Sequence, residues 1–128
     1  MNKTQGTPRM RTLGIALGWL IAGSIVWLSV THRPPVWHVS NGDKIQHLLA
    51  YATLSFWFGL LYPRLGARVL YAAGWVLLGV ALEYVQRALG YRTFDINDMA
   101  ADGLGVALGL AFATFVAGFQ LRPSMRST

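Results

Sequence analysis

The chain has 128 residues, of which 54% are hydrophobic and only 12% are charged, with 11 Lys and Arg residues, 5 Asp and Glu residues and no cysteine. Soluble domains average about a quarter charged residues, so this composition indicates a membrane protein. The net charge of +6 does not indicate a nucleic-acid binder, because such proteins rarely combine basic charge with so few charges overall. Without cysteine, a disulfide scaffold and a cysteine-ligated zinc site are excluded.

Four apolar segments fill most of the chain. Each approaches the roughly 20 residues with which a helix crosses about 30 Å of hydrocarbon. We predict an all-α membrane protein, with a basic leader (1–12), a basic tail (122–128) and a transmembrane domain (13–121) between them. Its four transmembrane helices are expected over approximately 13–30, 44–62, 67–87 and 98–121.

The first apolar segment fits two interpretations. A charged leader, an apolar stretch and the small residues Ala22, Gly23 and Ser24 resemble a signal peptide with its cleavage site. The apolar run continues past these residues to Val30. An uncleaved first helix is therefore favoured.

The distribution of charge predicts the orientation. If both termini are cytoplasmic, 7 of the 11 Lys and Arg residues lie inside, as the positive-inside rule requires. All 5 acidic residues then lie outside. Pro34 and Pro35 interrupt helix in the first outer loop, and Pro63 with Gly66 forms a short inner turn. We therefore predict a multi-pass protein with both termini in the cytoplasm.

Polar residues gather at the outer ends of the second, third and fourth predicted helices. Residues three or four apart share one helix face, and these groups have that spacing at similar depths in the membrane. We therefore predict a shallow polar pocket that faces the outer leaflet. Its ligand-binding residues are Asp43, Lys44, His47 and Tyr51 on the second helix, Glu83 and Gln86 on the third, and Arg92, Asp95, Asp98 and Asp102 before and within the fourth.

Simpler roles compete with binding for several of these residues. Asp43, Asp95 and Asp98 precede apolar runs, where carboxylates cap helix N-termini. Basic residues at such positions often contact lipid phosphates. Glu83 and Asp102 are different, because a carboxylate within a span costs several kcal/mol unless it is paired or hydrated. These two residues indicate a functional site.

Sequence motifs of known chemistry are absent. The chain has no glycine-rich phosphate loop, no G-x-S-x-G and no H-E-x-x-H, and its Asp95, Asn97 and Asp98 do not fit an EF-hand. His47 among carboxylates is compatible with a divalent metal, but no fixed ligand spacing supports one. We therefore predict neither a metal site nor a cofactor.

Glycines in two segments have the four-residue spacing that lets membrane helices approach closely. The pairs are Gly14 with Gly18 and Gly105 with Gly109. Among 14 glycines, chance also explains such spacings. We expect Gly103, Gly105 and Gly109 to help the last helix pack.

Taken in order, three groups of polar residues resemble the VanZ-like family over about residues 43–109. The matching positions are Asp43, Lys44, His47 and Tyr51, then Glu83 and Gln86, then Arg92, Asp95 and Asp98, followed by Gly103 and Gly105. One departure is Asp102, where many members have Asn. The resemblance implies a small polytopic protein of the bacterial inner membrane with a role at the cell envelope. The family's namesake is associated with resistance to the glycopeptide teicoplanin.

Three functions fit these residues. The first is binding or handling of a membrane lipid or lipid-linked envelope precursor headgroup, with phosphate held by Lys44, Arg87 and Arg92. The second is an enzyme in which His47 or Glu83 acts as general base, with Asp98 and Asp102 as further candidates. The third is a structural or partner-modulating subunit, with a membrane-protein partner or as a homo-oligomer, in which the polar cluster joins helices.

Overall fold

The computed structural model describes residues 7–120, with only the backbone of Gln120. Within that range the chain forms four α-helices: α1 (Pro8–Val30), α2 (Gly42–Leu61), α3 (Leu65–Leu89) and α4 (Ile96–Gln120). The all-helical prediction is confirmed. The first six residues of the predicted leader and the whole predicted tail lie outside the described residues.

Three of the four helices are long and apolar enough to cross a membrane. They are Pro8–Val30, Leu65–Leu89 and Ile96–Phe119, with mean hydropathies of 2.0, 1.7 and 1.7. In α2, the polar residues Asp43, Lys44, Gln46 and His47 occupy the first two turns and lower the hydropathy. Many large apolar side chains of α1, α3 and α4 are exposed, among them Leu20, Leu70, Leu77 and Phe115. Apolar surface of this kind suits contact with lipid.

The helix ends follow local signals. Thr7 caps α1 by accepting a hydrogen bond from the Met10 N–H, and Pro8 stands at the first helical position, where its missing N–H costs nothing. α1 therefore includes residues that the sequence analysis assigned to the leader. α3 ends at Leu89 and is followed by Gly90, whose φ of 77° lies in the left-handed region. Glycine adopts this conformation without strain.

Close packing of α2 against α4 fixes the interior of the bundle. A Cβ at Gly105 would lie 2.4 Å from the Leu48 carbonyl oxygen, and one at Gly109 would lie 2.3 Å from that of Ala52. Both glycines therefore serve packing, as expected. Gly103 does not, because a Cβ there would meet nothing within 4 Å. The expectation for Gly103 was wrong because this residue lies on another face of α4.

An aromatic core lies between α1, α2 and α3. Leu54, Phe58 and Trp75 are buried at its centre, and the rings of Phe58 and Trp75 lie 4.9 Å apart. α1 is attached to this core, since Trp57 Nε1 donates a hydrogen bond of 2.9 Å to the Gly14 carbonyl. The connections between successive helices place all 5 acidic residues at one end of the bundle. We call this end the acidic end and the opposite one the basic end.

Candidate functional site

The acidic end is built where α1 and α3 finish and α2 and α4 begin. The first two turns of α2, the last two turns of α3 and the first two turns of α4 bring their polar residues to the same level. Buried among them are Glu83, Gln86, Asp98 and Asp102. The predicted convergence of polar residues from three helices is thus present in the structure.

Lys44 lies at the centre of one half of the site. Its Nζ is 3.1 Å from Asp43 Oδ2, 3.0 Å from Asp95 Oδ2 and 3.4 Å from Asp98 Oδ1. The four side chains are called the Lys44 cluster below. The ammonium has three carboxylate partners, so it is already compensated by the protein. This arrangement argues against the expected role of Lys44 in holding a phosphate.

Asp95 combines two roles. Its Oδ1 accepts a 2.8 Å hydrogen bond from the Asn97 N–H and so caps α4. The hydrogen bond from Lys44, followed by that from Asn97, lowers the pKa of the Asp95 carboxyl below its ordinary value. The capping interpretation therefore fits Asp95. Asp43 lies in the first turn of α2, where a carboxylate suits the positive helix end, and its Oδ2 also accepts a hydrogen bond from Lys44 Nζ.

His47 and two carboxylates form the other half of the site. His47 Nδ1 lies 2.7 Å from Asp102 Oδ1, and its Nε2 lies 3.8 Å from Asp98 Oδ2. Glu83 on α3 completes this group. Each of the residues His47, Glu83 and Asp102 has one possible metal-ligating atom, and these three atoms lie within 4.8 Å of one another. We call these three residues the buried triad. The sequence predicted that these three residues share a pocket but not which of them are in contact, because each comes from a different helix.

Glu83 is the most enclosed member of the buried triad, with 1% of its surface exposed. Its Oε2 accepts a 3.1 Å hydrogen bond from the Asp95 N–H. Its Oε1 is buried and has no hydrogen-bond partner among residues 7–119. Buried polar atoms are nearly always hydrogen-bonded, so we expect a ligand or an ordered water beside this oxygen.

Gly79 allows α3 to approach Asp102. A Cβ at this position would lie 2.8 Å from Asp102 Oδ2 and 3.1 Å from Asp102 Cβ. Gly79 is one turn before Glu83, so both residues share the helix face that contacts α4. The glycine therefore makes room for the Asp102 carboxylate beside Glu83.

A cavity of about 490 Å³ opens at the acidic end. Its polar wall includes His47 and Asp98, and its apolar wall includes Ile25, Leu28 and Val36. The volume lies within the roughly 300–1,000 Å³ range of small-molecule sites. Six predicted ligand-binding residues line it, namely Asp43, His47, Tyr51, Gln86, Arg92 and Asp98.

Other predicted residues lie behind or away from the cavity wall. Lys44, Glu83, Asp95 and Asp102 belong to the two polar groups but are not among the residues that line the cavity. Arg87, expected to hold phosphate, places its guanidinium over the Phe94 ring at 5.7 Å and also does not line the cavity. Of the three basic residues expected to hold phosphate, Arg92 alone lines this cavity.

Several lining residues were missed by sequence reasoning. Gln46 lines the cavity and donates a 3.3 Å hydrogen bond to the Pro35 carbonyl. His32 and Tyr91 also line it, and their rings lie 3.7 Å apart. The position of Gln46 three residues after Asp43 was an available signal. The pairing of His32 with Tyr91 joins two loops and had no signal in the sequence.

The arrangement supports two kinds of chemistry. Asp102 holds the His47 ring by a short hydrogen bond, as carboxylates do for histidines that bind metals or transfer protons. Carboxylates, amides and a guanidinium around the cavity offer hydrogen bonds to a polar ligand. No protein-family model, curated protein or solved structure matches the chain. Functional inference therefore rests on the chain's own residues.

Proposed function

We propose that this chain is a VanZ-like protein of the bacterial inner membrane, with four transmembrane helices and both termini in the cytoplasm. The three long apolar helices support membrane insertion. For α2, its contacts with all three other helices support a fourth span, and its polar His47 is hydrogen-bonded to Asp102 on α4. The orientation is supported by the sequence, in which 7 of the 11 Lys and Arg residues fall on the predicted inner side.

The proposed activity is binding of the polar headgroup of a membrane lipid or of a lipid-linked envelope precursor. The observation that supports this proposal is the cavity at the acidic end, which is lined by both polar and apolar side chains. A molecule with a polar head and an aliphatic portion matches such a lining. In the proposed orientation the cavity lies at the outer leaflet, where lipid-linked envelope precursors are used.

Charge in the cavity indicates which headgroups fit. Asp43 and Asp98 are lining carboxylates, whereas Arg92 supplies the one Lys or Arg side chain among the lining residues. Lys44 is already paired with three carboxylates. We therefore expect a ligand rich in hydroxyl, amide or ammonium donors, with at most one phosphate contact, at Arg92.

The motif resemblance adds an envelope phenotype to the proposal. Its first two groups and Asp98 converge on one end of the bundle, with Arg92 lining the cavity beside them. Asp102, the departure from the common pattern, holds His47. We propose that production of the protein lowers the susceptibility of bacteria to teicoplanin through this site.

Lipid analysis of the purified protein tests the headgroup proposal. Wild-type protein, Asp98→Asn and Arg92→Gln are purified in mild detergent, and bound lipids are identified by native mass spectrometry. Arg64→Gln is the control, because Arg64 is exposed at the basic end. We expect one lipid class to be retained by wild type and the control and to be lost from both cavity variants. An identical lipid profile in all four proteins would contradict headgroup binding.

A second candidate is acid–base catalysis on the same ligand. It is favoured by the 2.7 Å contact of Asp102 with His47 and by the position of His47 on the cavity wall. A histidine held in this way is suited to accept a proton from a bound hydroxyl or water. The test is incubation of labelled envelope lipids with wild type and His47→Ala. Product formation by wild type only would support an enzyme, whereas unaltered lipids would oppose it.

A further inference from the structure

We propose that the buried triad binds a divalent cation. His47 on α2, Glu83 on α3 and Asp102 on α4 each place a ligand-type atom within 4.8 Å of the others. Two of these residues are already in contact, since His47 Nδ1 lies 2.7 Å from Asp102 Oδ1. Three protein ligands from three helices leave further coordination positions open, as in catalytic metal sites.

An independent observation at Glu83 also indicates a ligand. This side chain is 1% exposed, and its Oε1 has no hydrogen-bond partner among residues 7–119. A buried carboxylate oxygen without a partner is costly, because it has lost its hydration and gained nothing in return. A cation bound by the Glu83 carboxylate would supply such a partner.

The charges around the buried triad also favour a cation. Glu83 and Asp102 are two buried carboxylates beside one imidazole. Within residues 7–119, no Lys or Arg side chain forms an ion pair with either of them. Buried carboxylates are expected to be paired or to bind a metal. A divalent cation would supply the missing positive charge.

The Lys44 cluster provides an internal contrast. Asp43, Asp95 and Asp98 also place oxygens within 4.8 Å of one another. There, however, Lys44 Nζ lies within 3.4 Å of all three carboxylates. The protein has already supplied a cation to this group. We therefore assign the metal to the buried triad and not to the Lys44 cluster.

The donor set indicates which cation binds. One imidazole nitrogen with two carboxylates suits first-row divalent metals such as Mn²⁺ and Zn²⁺ better than Ca²⁺, which prefers oxygen ligands. His47 also lines the cavity, so the site is reached from it. This cation site does not depend on headgroup binding, because its ligands and its test involve no lipid.

Metal titration of the purified full-length protein tests the site. Protein in detergent is treated with EDTA, exchanged into metal-free buffer and titrated with ZnCl₂ or MnCl₂ by isothermal calorimetry. We expect saturable binding of one ion per chain and a higher thermal midpoint with metal. Glu83→Gln is expected to weaken binding by about 100-fold or more, since even loss of a residue that only supports a ligand costs about 10–100-fold. Absence of saturable binding by the wild type would overturn the proposal.

Two further variants test whether the metal binds at the buried triad and not elsewhere on the protein. Asp43→Asn removes a carboxylate of the Lys44 cluster and is expected to bind the metal like wild type. Gly79→Ala changes no ligand but would place a Cβ 2.8 Å from Asp102 Oδ2, so we expect weaker binding. Wild-type affinity in Glu83→Gln, or an equal loss in Asp43→Asn, would overturn the assignment to the buried triad. Headgroup binding is judged separately from Asp98→Asn and Arg92→Gln.

Discussion

The two ends of the bundle use their charged residues in different ways. At the basic end, Arg68 Nε donates to the Gly59 carbonyl and Arg11 Nη1 to the Leu61 carbonyl, each at 2.8 Å. These carbonyls belong to the last turn of α2, which has no helical partners for them. Basic side chains satisfy such groups and suit the negative end of the helix. The basic residues there complete a helix terminus.

At the acidic end, one buried carboxylate oxygen has no hydrogen-bond partner within the described residues. Lys44 compensates its own cluster, but Glu83 Oε1 stays without a partner among residues 7–119. A cavity adjoins His47 and Asp98. A buried charge has a structural role where the protein supplies its partners, and it indicates a binding role where those partners are missing.

We expect the greatest loss of stability when the α2–α4 contact that assembles the acidic end is disturbed. In Gly105→Ala the new Cβ would lie 2.4 Å from the Leu48 carbonyl oxygen, a backbone atom that cannot rotate away. We expect the free energy of unfolding in detergent to fall by about 3 kcal/mol, the upper range for overpacking. Gly103→Ala is the matched control and is expected to leave stability unchanged or slightly higher. Equal stability of the two variants would show that the helices do not pack as described.

A second pair of variants compares the two ends directly. Arg68→Met leaves the buried Gly59 carbonyl without its donor, so we expect a loss of about 2 kcal/mol in unfolding free energy. Glu83→Gln keeps an oxygen to accept from the Asp95 N–H and removes a buried negative charge, so we expect the unfolding free energy in metal-free buffer to stay the same or to rise. Reversible denaturation in mixed detergent measures both. A loss in Glu83→Gln as large as that in Arg68→Met would favour the interpretation of the acidic end as interhelical support.

The fold was largely predictable because its signals are local. Apolar segments, prolines and Gly90 mark where helices begin and end, and the all-helical prediction is confirmed. α1 begins at Pro8, five residues before the predicted start of the first span at residue 13. Arg9 and Arg11 suggested the edge of a membrane, but backbone hydrogen bonding in a helix does not stop where the lipid stops.

The sequence predicted only part of the site and none of its pairing. The polar residues that it grouped from three helices lie together at the acidic end, whereas Gln46, His32 and Tyr91 of the cavity were missed. Which carboxylates Lys44 reaches depends on the rotation of α2 against α4, and that rotation is fixed by close contacts at Gly105 and Gly109. From the sequence alone, the Lys44 ammonium was therefore expected to be available to bind a phosphate. The loops also contribute residues to the cavity, such as His32 beside Tyr91. These could not be predicted, because their positions depend on packing between residues far apart in the sequence.

A smaller effect is expected from removing the cation of the Lys44 cluster. Lys44→Met leaves three carboxylates facing one another without their shared partner, so we expect a lower thermal midpoint than that of wild type. The decrease is expected to be smaller than in Arg68→Met, because this cluster is partly exposed and water screens it. Adding Asp95→Asn removes one of the repelling charges and is expected to recover part of the loss. A double variant less stable than Lys44→Met would contradict the described pairing.

Labelling of single cysteine variants tests which end of the bundle faces outward. The chain has no cysteine, so single substitutions at Ser40, Thr93 and Arg64 each create one reactive thiol at an exposed position. We expect Ser40→Cys and Thr93→Cys to react with an impermeant maleimide added to intact cells, and Arg64→Cys to react only after permeabilisation. All three are expected to retain wild-type stability, since surface changes rarely exceed about 0.5 kcal/mol.

The reverse labelling pattern would leave the polar clusters intact but place the cavity at the inner leaflet. Binding of an outer-leaflet headgroup would then be wrong, whereas cation binding by the buried triad would still stand, because it depends on the packing of α2, α3 and α4 and not on their direction.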